Sequence, residues 1–134
     1  MNTKEINDKL KYYKCFIGTF ACDQLPNYLP KKCSLIINTD PGYLPGQHWV
    51  ALFIENKNVE YFDSYGFPPL NKEIYLFFEK NELINLVYNT KQIQGVNSTT
   101  CGNFCVLFVK LRCQNISMDD IIRLNFNDNT IRKI

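Results

Sequence analysis

The chain has 134 residues with 46% hydrophobic and 14% aromatic content, and its formal net charge is +2. This length supports one hydrophobic core, so we expect a single domain over residues 1–134. The apolar content excludes a disordered chain, and the scattered lysines provide no basic cluster for binding nucleic acid. No run of 18 apolar residues occurs, and the first 14 residues lack the apolar stretch of a signal peptide. We therefore expect a soluble, intracellular protein without a membrane partner.

The predicted elements alternate between short helices and short strands, without repeats, low-complexity tracts or linkers. Two apolar runs separated by the polar segment ENKN predict an antiparallel hairpin. In chain order the patterns predict a helix over 4–13, a loop over 18–32, a strand over 33–38, a turn region over 39–47, strands over 48–54 and 59–63, a helix from Asn71 to residue 80, a strand over 84–88, a helix from Cys101 and a last short helix from Ser117.

Six cysteines raise the question of a zinc site or a disulfide framework. No two of them form a Cys-x-x-Cys pair, and the chain has one histidine, so we predict no metal site. Without a secretory segment, reduced thiols are the default expectation. We therefore interpret Cys15, Cys22, Cys33 and Cys113 as small buried apolar side chains or idle thiols.

Cys101 is the candidate nucleophile. It begins an apolar segment whose phenylalanines and leucines recur at helical spacing, and the residue types at 97–100 are those that cap helices. A cysteine at a helix N-terminus has its thiol pKa lowered by the helix dipole. Such a thiolate needs a base and an orienting acid from elsewhere in the chain.

The predicted hairpin supplies both groups. If Asn56 and Lys57 form the turn, position 50 opposes position 63, and His48 lies two positions from the partner of Asp63. Both side chains then point to one face, roughly 7–8 Å apart at Cα. In this hypothesis His48 takes the proton of Cys101 and Asp63 fixes the imidazole tautomer. The alternative interpretation is a surface or core histidine and a strand-ending aspartate.

Two glutamines precede Cys101 and are candidates for stabilising an oxyanion. Gln94 lies seven residues before the cysteine, and Gln92 competes with it by residue type. A glutamine amide is a neutral donor that could act beside the backbone amide of Cys101. Read alone, either residue is as well explained as a solvated polar side chain.

The order His, Asp, Gln, Cys, with HW, YFDSYGF and QGVNSTTCGNFC, resembles the adenovirus proteinase family and its relatives among the ubiquitin-like-protein proteases. FIGTFACDQLP, IINT and GFPP also look like adenoviral segments, and the likeness covers roughly residues 1–115. The resemblance implies a papain-like α+β fold, with a central, mostly antiparallel sheet packed on the nucleophile helix.

The resemblance also implies the roles of the site residues. His48 matches the general base, Asp63 the orienting acid and Cys101 the nucleophile. Gln94 matches the oxyanion donor, and its spacing to the cysteine favours it over Gln92. Trp49 matches the tryptophan that follows the family's histidine, and it and Gly102 are expected to support the site.

The implied function is cleavage of proteins after glycine, at Gly-Gly or Gly-X-Gly sites, through a thioacyl-enzyme. In a virus this would mature structural precursors in the host cytoplasm, the nucleus or the virion. A deubiquitinase-like or deSUMOylase-like isopeptidase, whose partner is a ubiquitin-like conjugate, is the alternative. A catalytically dead interaction module is a third possibility, which the four filled catalytic positions argue against.

The sequence departs from the adenoviral pattern in three respects. Residues 64–100 contain no cysteine, so activation by a disulfide-linked peptide does not transfer. The near-neutral charge argues against a DNA cofactor, and we expect no required cofactor. The adenoviral chain also continues well beyond its cysteine helix. The sequence gives no prediction of the oligomeric state.

Overall fold

The computed structural model of the chain describes residues 1–40, 42, 48–93, 95, 99–124 and 126–132. None of the helices in these ranges has the length and apolar character needed to cross a membrane. The elements are α1 (Thr3–Leu10), β1 (Phe16–Ala21), β2 (Lys32–Asn38), β3 (Trp49–Glu55), β4 (Asn58–Phe62), α2 (Lys72–Lys80), β5 (Asn85–Tyr88), α3 (Cys101–Arg112), α4 (Met118–Ile122) and α5 (Asp128–Ile131).

The strands form one sheet in the order β1-β2-β3-β4-β5. The two central pairings, β2 with β3 and β3 with β4, are antiparallel, whereas β1 and β5 add to the edges in parallel. The α+β fold is therefore confirmed, with an antiparallel centre and parallel edges.

The expected loop over 18–32 is wrong in its first part, because β1 occupies Phe16–Ala21. Gly18 suggested a break in the chain, and in the structure it has φ +143° where the register with β2 shifts. Every residue of β1 is half-buried, as is usual for an edge strand. Pairing with β2 determines this strand, and a local pattern cannot reveal it. Short, polar α5 was also not predicted, and of its residues only Ile131 is buried.

Alternating side chains divide the sheet into two apolar faces, one on each side. One face packs on buried side chains of α1, α3 and α4 and includes Ile36, Ala51 and Phe62. The opposite face packs on α2 and includes Leu35 and Leu52. This alternation fixes the register, because a slip of one residue would exchange the two faces. The nucleophile helix α3 therefore lies directly on the sheet centre.

A disulfide joins Cys15, just before β1, to Cys113, which ends α3. Their Cα atoms are 5.8 Å apart, within the range a disulfide spans. The expectation of reduced thiols is thus wrong for this pair, since only the tertiary fold brings together residues 98 positions apart. Cys22 and Cys33 are free and buried, and there the interpretation as small apolar side chains is confirmed.

Candidate active site

The β3–β4 hairpin has the register that the sequence predicted. Asn56 and Lys57 form the turn with φ values of 52° and 70°, in the left-handed region that two-residue hairpin turns require. Ile54 faces Val59 across the ladder. His48 therefore lies directly before β3, and Asp63 directly after β4, at the same end of the hairpin.

His48 and Asp63 are in contact. Nε2 of His48 lies 2.8 Å from Oδ1 of Asp63, and the carboxylate is almost completely buried. The backbone N–H of Tyr65 donates to the same oxygen over 2.8 Å. Because Nε2 is engaged by the carboxylate, Nδ1 is the imidazole nitrogen that is available to a second partner.

That partner is Cys101, which lies at the first position of α3 and is 7% exposed. Burial alone would lower the pKa of His48, but its hydrogen bonds to Asp63 and to Cys101, with the charges of both, raise it to about 9. Burial alone would raise the pKa of Cys101, but the hydrogen bond to His48 and backbone hydrogen bonds at Trp49 and Gly102 lower it. The opposed shifts favour a thiolate–imidazolium pair.

Trp49 and Gly102 lie against the thiol-bearing turn of α3. A Cβ added to Gly102 would lie 3.1 Å from Cβ of Met1 and 3.2 Å from Cδ1 of Trp49. The indole Nε1 of Trp49 donates to the backbone oxygen of Met1 over 3.0 Å. Only glycine therefore allows this close approach without a shift of its neighbours.

Gly95 and Thr100, at the two ends of the segment before Cys101, bind Asp128, and the Thr100 side chain does not cap α3 as predicted. Thr100 is the N-cap of α3, but its hydroxyl accepts no hydrogen bond from the helix N–H groups and instead donates to Oδ1 of Asp128 over 2.6 Å. The N–H of Gly95 donates to Oδ2 of the same carboxylate over 3.0 Å. Asp128 therefore ties both ends of this segment. Of the other predicted capping residues, Thr99 is described and exposed, whereas Asn97 and Ser98 lie outside the described residues.

The assignment of the oxyanion donor remains a prediction. Gln94 lies outside the described residues, as does most of the predicted turn region at 39–47. Gln92 is described and is exposed. The described neighbour of Gln94, Gly95, is held by Asp128 as given above.

Three residues that the sequence did not single out contact the site. The ring of Tyr65 stacks on His48, with centroids 4.9 Å apart and an interplanar angle of 28°. Asn89 bonds the backbone of Asp63 on both its N–H and its carbonyl. Asp128 is the third. The nearness of Tyr65 to Asp63 was visible in the sequence, but nothing local pointed to Asn89 or Asp128.

Two clefts adjoin these residues. One, of about 310 Å³, is formed by His48 and Asp63 together with apolar Phe67, Pro68 and Leu70. The other, of about 400 Å³, has Trp49 in its wall and a largely polar lining. Within the described ranges, no three His, Cys, Asp or Glu side chains converge as a metal site would require.

Similar proteins identify the family. The profile of the family described as adenovirus endoprotease matches residues 16–125. A protease of bovine adenovirus 2 is 37% identical over 110 residues, which cover 70% of this chain and 53% of that protein. The SUMO-1 cysteine protease S273R of African swine fever virus (isolate Pig/Kenya/KEN-50/1950) is 27% identical over 109 residues, which cover 73% of this chain and 40% of that protein.

A solved structure has the same fold. The crystal structure of the ASFV pS273R protease matches with a TM-score of 0.72 at 18% identity, over 98% of this chain and 64% of that one. This chain spans about half, or less, of the length of the two relatives named above. The family profile nevertheless covers its hairpin, its nucleophile helix and the residues between them. On this match, the chain belongs to the adenovirus endoprotease family.

Proposed function

We propose that this chain is a cysteine endopeptidase in which Cys101 is the nucleophile, His48 the general acid and base, and Asp63 the orienting acid. One observation carries the proposal: the sole histidine hydrogen bonds to both the buried carboxylate and the thiol at the start of α3. The relatives named above are proteases, which supports the same chemistry here.

The chemistry follows from the polarity of this pair. The Cys101 thiolate attacks the scissile carbonyl carbon, a C–S bond forms, and the electron pair of the C=O bond moves to oxygen. The Cys101 amide and the Gln94 side chain donate to that oxyanion. The carbonyl then re-forms, the C–N bond breaks, and the His48 imidazolium gives its proton to the leaving amine.

Neutral His48 completes the cycle. It takes a proton from water as the water oxygen attacks the thioacyl carbon, which forms a second tetrahedral intermediate. Collapse of that intermediate breaks the C–S bond and releases the carboxylic acid, whose proton passes to solvent. Cys101 leaves as the thiolate beside the imidazolium, and Asp63 holds the ring in position throughout.

The cleavage site in this proposal follows glycine, at Gly-Gly or Gly-X-Gly sequences in viral structural precursors. Its support is the likeness to the adenoviral enzymes, whose family profile covers residues 16–125 and thus the sequence around all the proposed catalytic residues.

The second candidate function is release of a ubiquitin-like modifier. A specific observation favours it: a relative at 27% identity is named a SUMO-1 cysteine protease. Phe67 and Leu70 are also 57% and 80% exposed at the cleft beside His48, where a folded protein could pack against them. The catalytic residues are the same in both functions, so only the substrate distinguishes them.

The deciding experiment uses two substrates with the same fluorogenic leaving group, a Leu-Arg-Gly-Gly peptide and an intact ubiquitin-like protein. Turnover of the peptide that Cys101→Ala abolishes, and that Cys22→Ala retains, would support the endopeptidase. Cys22 is a matched control because it is also free and buried but lies outside the site. Strong preference for the folded protein would favour the isopeptidase. Silence on both substrates would contradict both functions.

We propose that the enzyme needs no activating peptide or DNA. Residues 64–100 contain no cysteine for a disulfide-linked peptide, and the sequence has no basic cluster for DNA. The purified chain alone should therefore turn over the peptide, and added double-stranded DNA should not raise the rate. A rate that depends on added DNA would contradict this part.

A further inference from the structure

We propose that Asn89 is a positioning residue, which holds the catalytic carboxylate in place by hydrogen bonding to the backbone N–H and carbonyl of Asp63. This inference rests on the proposed function. The Asn89 side chain accepts a hydrogen bond from the Asp63 N–H over 2.9 Å and donates to the Asp63 carbonyl over 2.6 Å. It also donates to the carbonyl of Lys91, and the residue is 4% exposed.

The place of Asn89 in the sheet explains this contact. The parallel ladder between β4 and β5 pairs Tyr61 with Tyr88, and β4 ends at Phe62. Asp63 therefore lies just beyond the end of β4 in a buried region, where its N–H needs an acceptor and its carbonyl accepts from the N–H of Gly66 over 2.8 Å. The Asn89 amide supplies one acceptor and one donor, as a neighbouring strand would.

The turn that carries Asp63 is supported by the same segment. The N–H of Ile93 donates to the carbonyl of Ser64 over 2.8 Å. Gly66 packs so closely on residues 90–91 that an added Cβ would lie 2.7 Å from the carbonyl oxygen of Thr90. The N–H of Gly66 donates to the Asp63 carbonyl from within the turn, whereas Asn89 is the residue of the β5 segment that bonds both the N–H and the carbonyl of Asp63.

The consequence reaches the nucleophile through two hydrogen bonds. The Asp63 carboxylate holds Nε2 of His48, and His48 hydrogen bonds to Cys101. If the backbone at Asp63 shifts, the carboxylate leaves its position 2.8 Å from the imidazole. The imidazolium would then lose its partner, and the thiolate would in turn be less favoured.

The test compares Asn89→Ala with Asn81→Ala. Asn81 is the matched control because its amide also caps a backbone carbonyl, that of Phe77, but at the end of α2. His48 is the sole histidine, so a proton NMR titration reports its pKa without assignment and without substrate. Peptide turnover gives kcat and KM, and thermal melting reports stability.

We expect Asn89→Ala to lower the His48 pKa by about one unit and kcat at pH 10 by about tenfold, because the imidazolium population there follows the pKa, with KM within about twofold of wild type. Asn81→Ala should lower only the melting temperature. If Asn89→Ala melts earlier but keeps the wild-type His48 titration and kcat, Asn89 is merely structural and the proposal is overturned.

A second variant covers the case in which Asn89→Ala does not fold. Asn89→Asp keeps an acceptor for the Asp63 N–H but replaces the donor with a carboxylate oxygen that repels the Asp63 carbonyl. Its kcat should fall by at least about tenfold, and a wild-type kcat would overturn the proposal. If wild-type protein turns over no peptide, the proposed function fails, and the His48 titration still judges Asn89.

Discussion

Asp63→Asn is the substitution whose effect on catalysis follows most directly from the geometry. The change keeps the size of the side chain but removes the charge that faces Nε2 of His48 at 2.8 Å. The pKa of His48, raised from 6.5 to about 9 in the wild type, should then fall toward its ordinary value. The full pKa shift corresponds to a free energy of about 3 kcal/mol that favours the imidazolium over the neutral imidazole. The His48 side chain is only 18% exposed.

The loss of activity can be worked out from this shift. At pH 8 a histidine of pKa about 9 is about 90% protonated, whereas one of pKa about 6.5 is about 3% protonated. The population of the imidazolium, and hence kcat/KM, should fall by up to about 30-fold, and less where the Cys101 hydrogen bond still supports the charge. The alkaline limb of the pH–rate profile should move to lower pH by the same shift.

Folding stability should follow the same ionisation. A raised pKa in the folded state means that the contribution of His48 is fully present below pH 6.5 and is lost as pH rises through about 9. Chemical denaturation at a series of pH values should show this loss in the wild type and a smaller one in Asp63→Asn.

The assay is the NMR titration of the sole histidine combined with rates from pH 5 to pH 10. Asp8→Asn serves as the control, since Asp8 forms an exposed ion pair with Lys4 on α1, away from the site. If His48 in Asp63→Asn still titrates near 9 and the alkaline limb stays in place, the reasoning about the carboxylate is refuted.

Three further predictions concern the surroundings of the nucleophile. Gly102→Ala should lower the free energy of unfolding by about 1–3 kcal/mol, because the added Cβ would lie only 3.1 Å from Cβ of Met1 and 3.2 Å from Cδ1 of Trp49; an unchanged melting temperature would contradict the packing described. Cys113→Ser should lower the free energy of unfolding by up to about 4–5 kcal/mol, because it removes the disulfide to Cys15. A thiol reagent should titrate four thiols in the denatured, unreduced wild type, and a count of six would refute the disulfide. Asp128→Ala should release residues 95–100, which precede Cys101, and lower kcat about tenfold. Iodoacetamide should still alkylate Cys101 at the wild-type rate, because alkylation needs no oxyanion hole. Equal losses of kcat and of the alkylation rate would contradict a role of Asp128 confined to residues 95–100.

The sequence could predict the contact of His48 with Asp63 because hairpin register is a local property. Two turn residues and the alternation of side chains fix which positions share a face, and those rules hold for any chain. The position of Cys101 at a helix start was local as well, since the apolar spacing of α3 lies within 12 residues.

Most of the features that the sequence did not reveal depend on contacts between distant parts of the chain. β1 becomes a strand only because β2 is beside it, despite Gly18. Cys15 and Cys113 meet across 98 positions. Asn89 bonds the backbone of Asp63, which lies 26 residues away. Asp128 accepts from the hydroxyl of Thr100, which lies 28 residues away. An asparagine just after a strand, or an aspartate at the start of a short polar helix, has no local pattern that predicts such a contact.

The measurement that tests the central claim most directly is covalent trapping of the nucleophile. The chain is mixed with a Leu-Arg-Gly-Gly peptide that carries a vinyl methyl ester in place of the scissile bond, and the adduct is mapped by mass spectrometry. The account predicts one adduct per chain, on Cys101, that forms much more slowly in His48→Ala. No adduct, or labelling that spreads equally to Cys22, Cys33 and Cys105, would contradict a thiolate activated by His48.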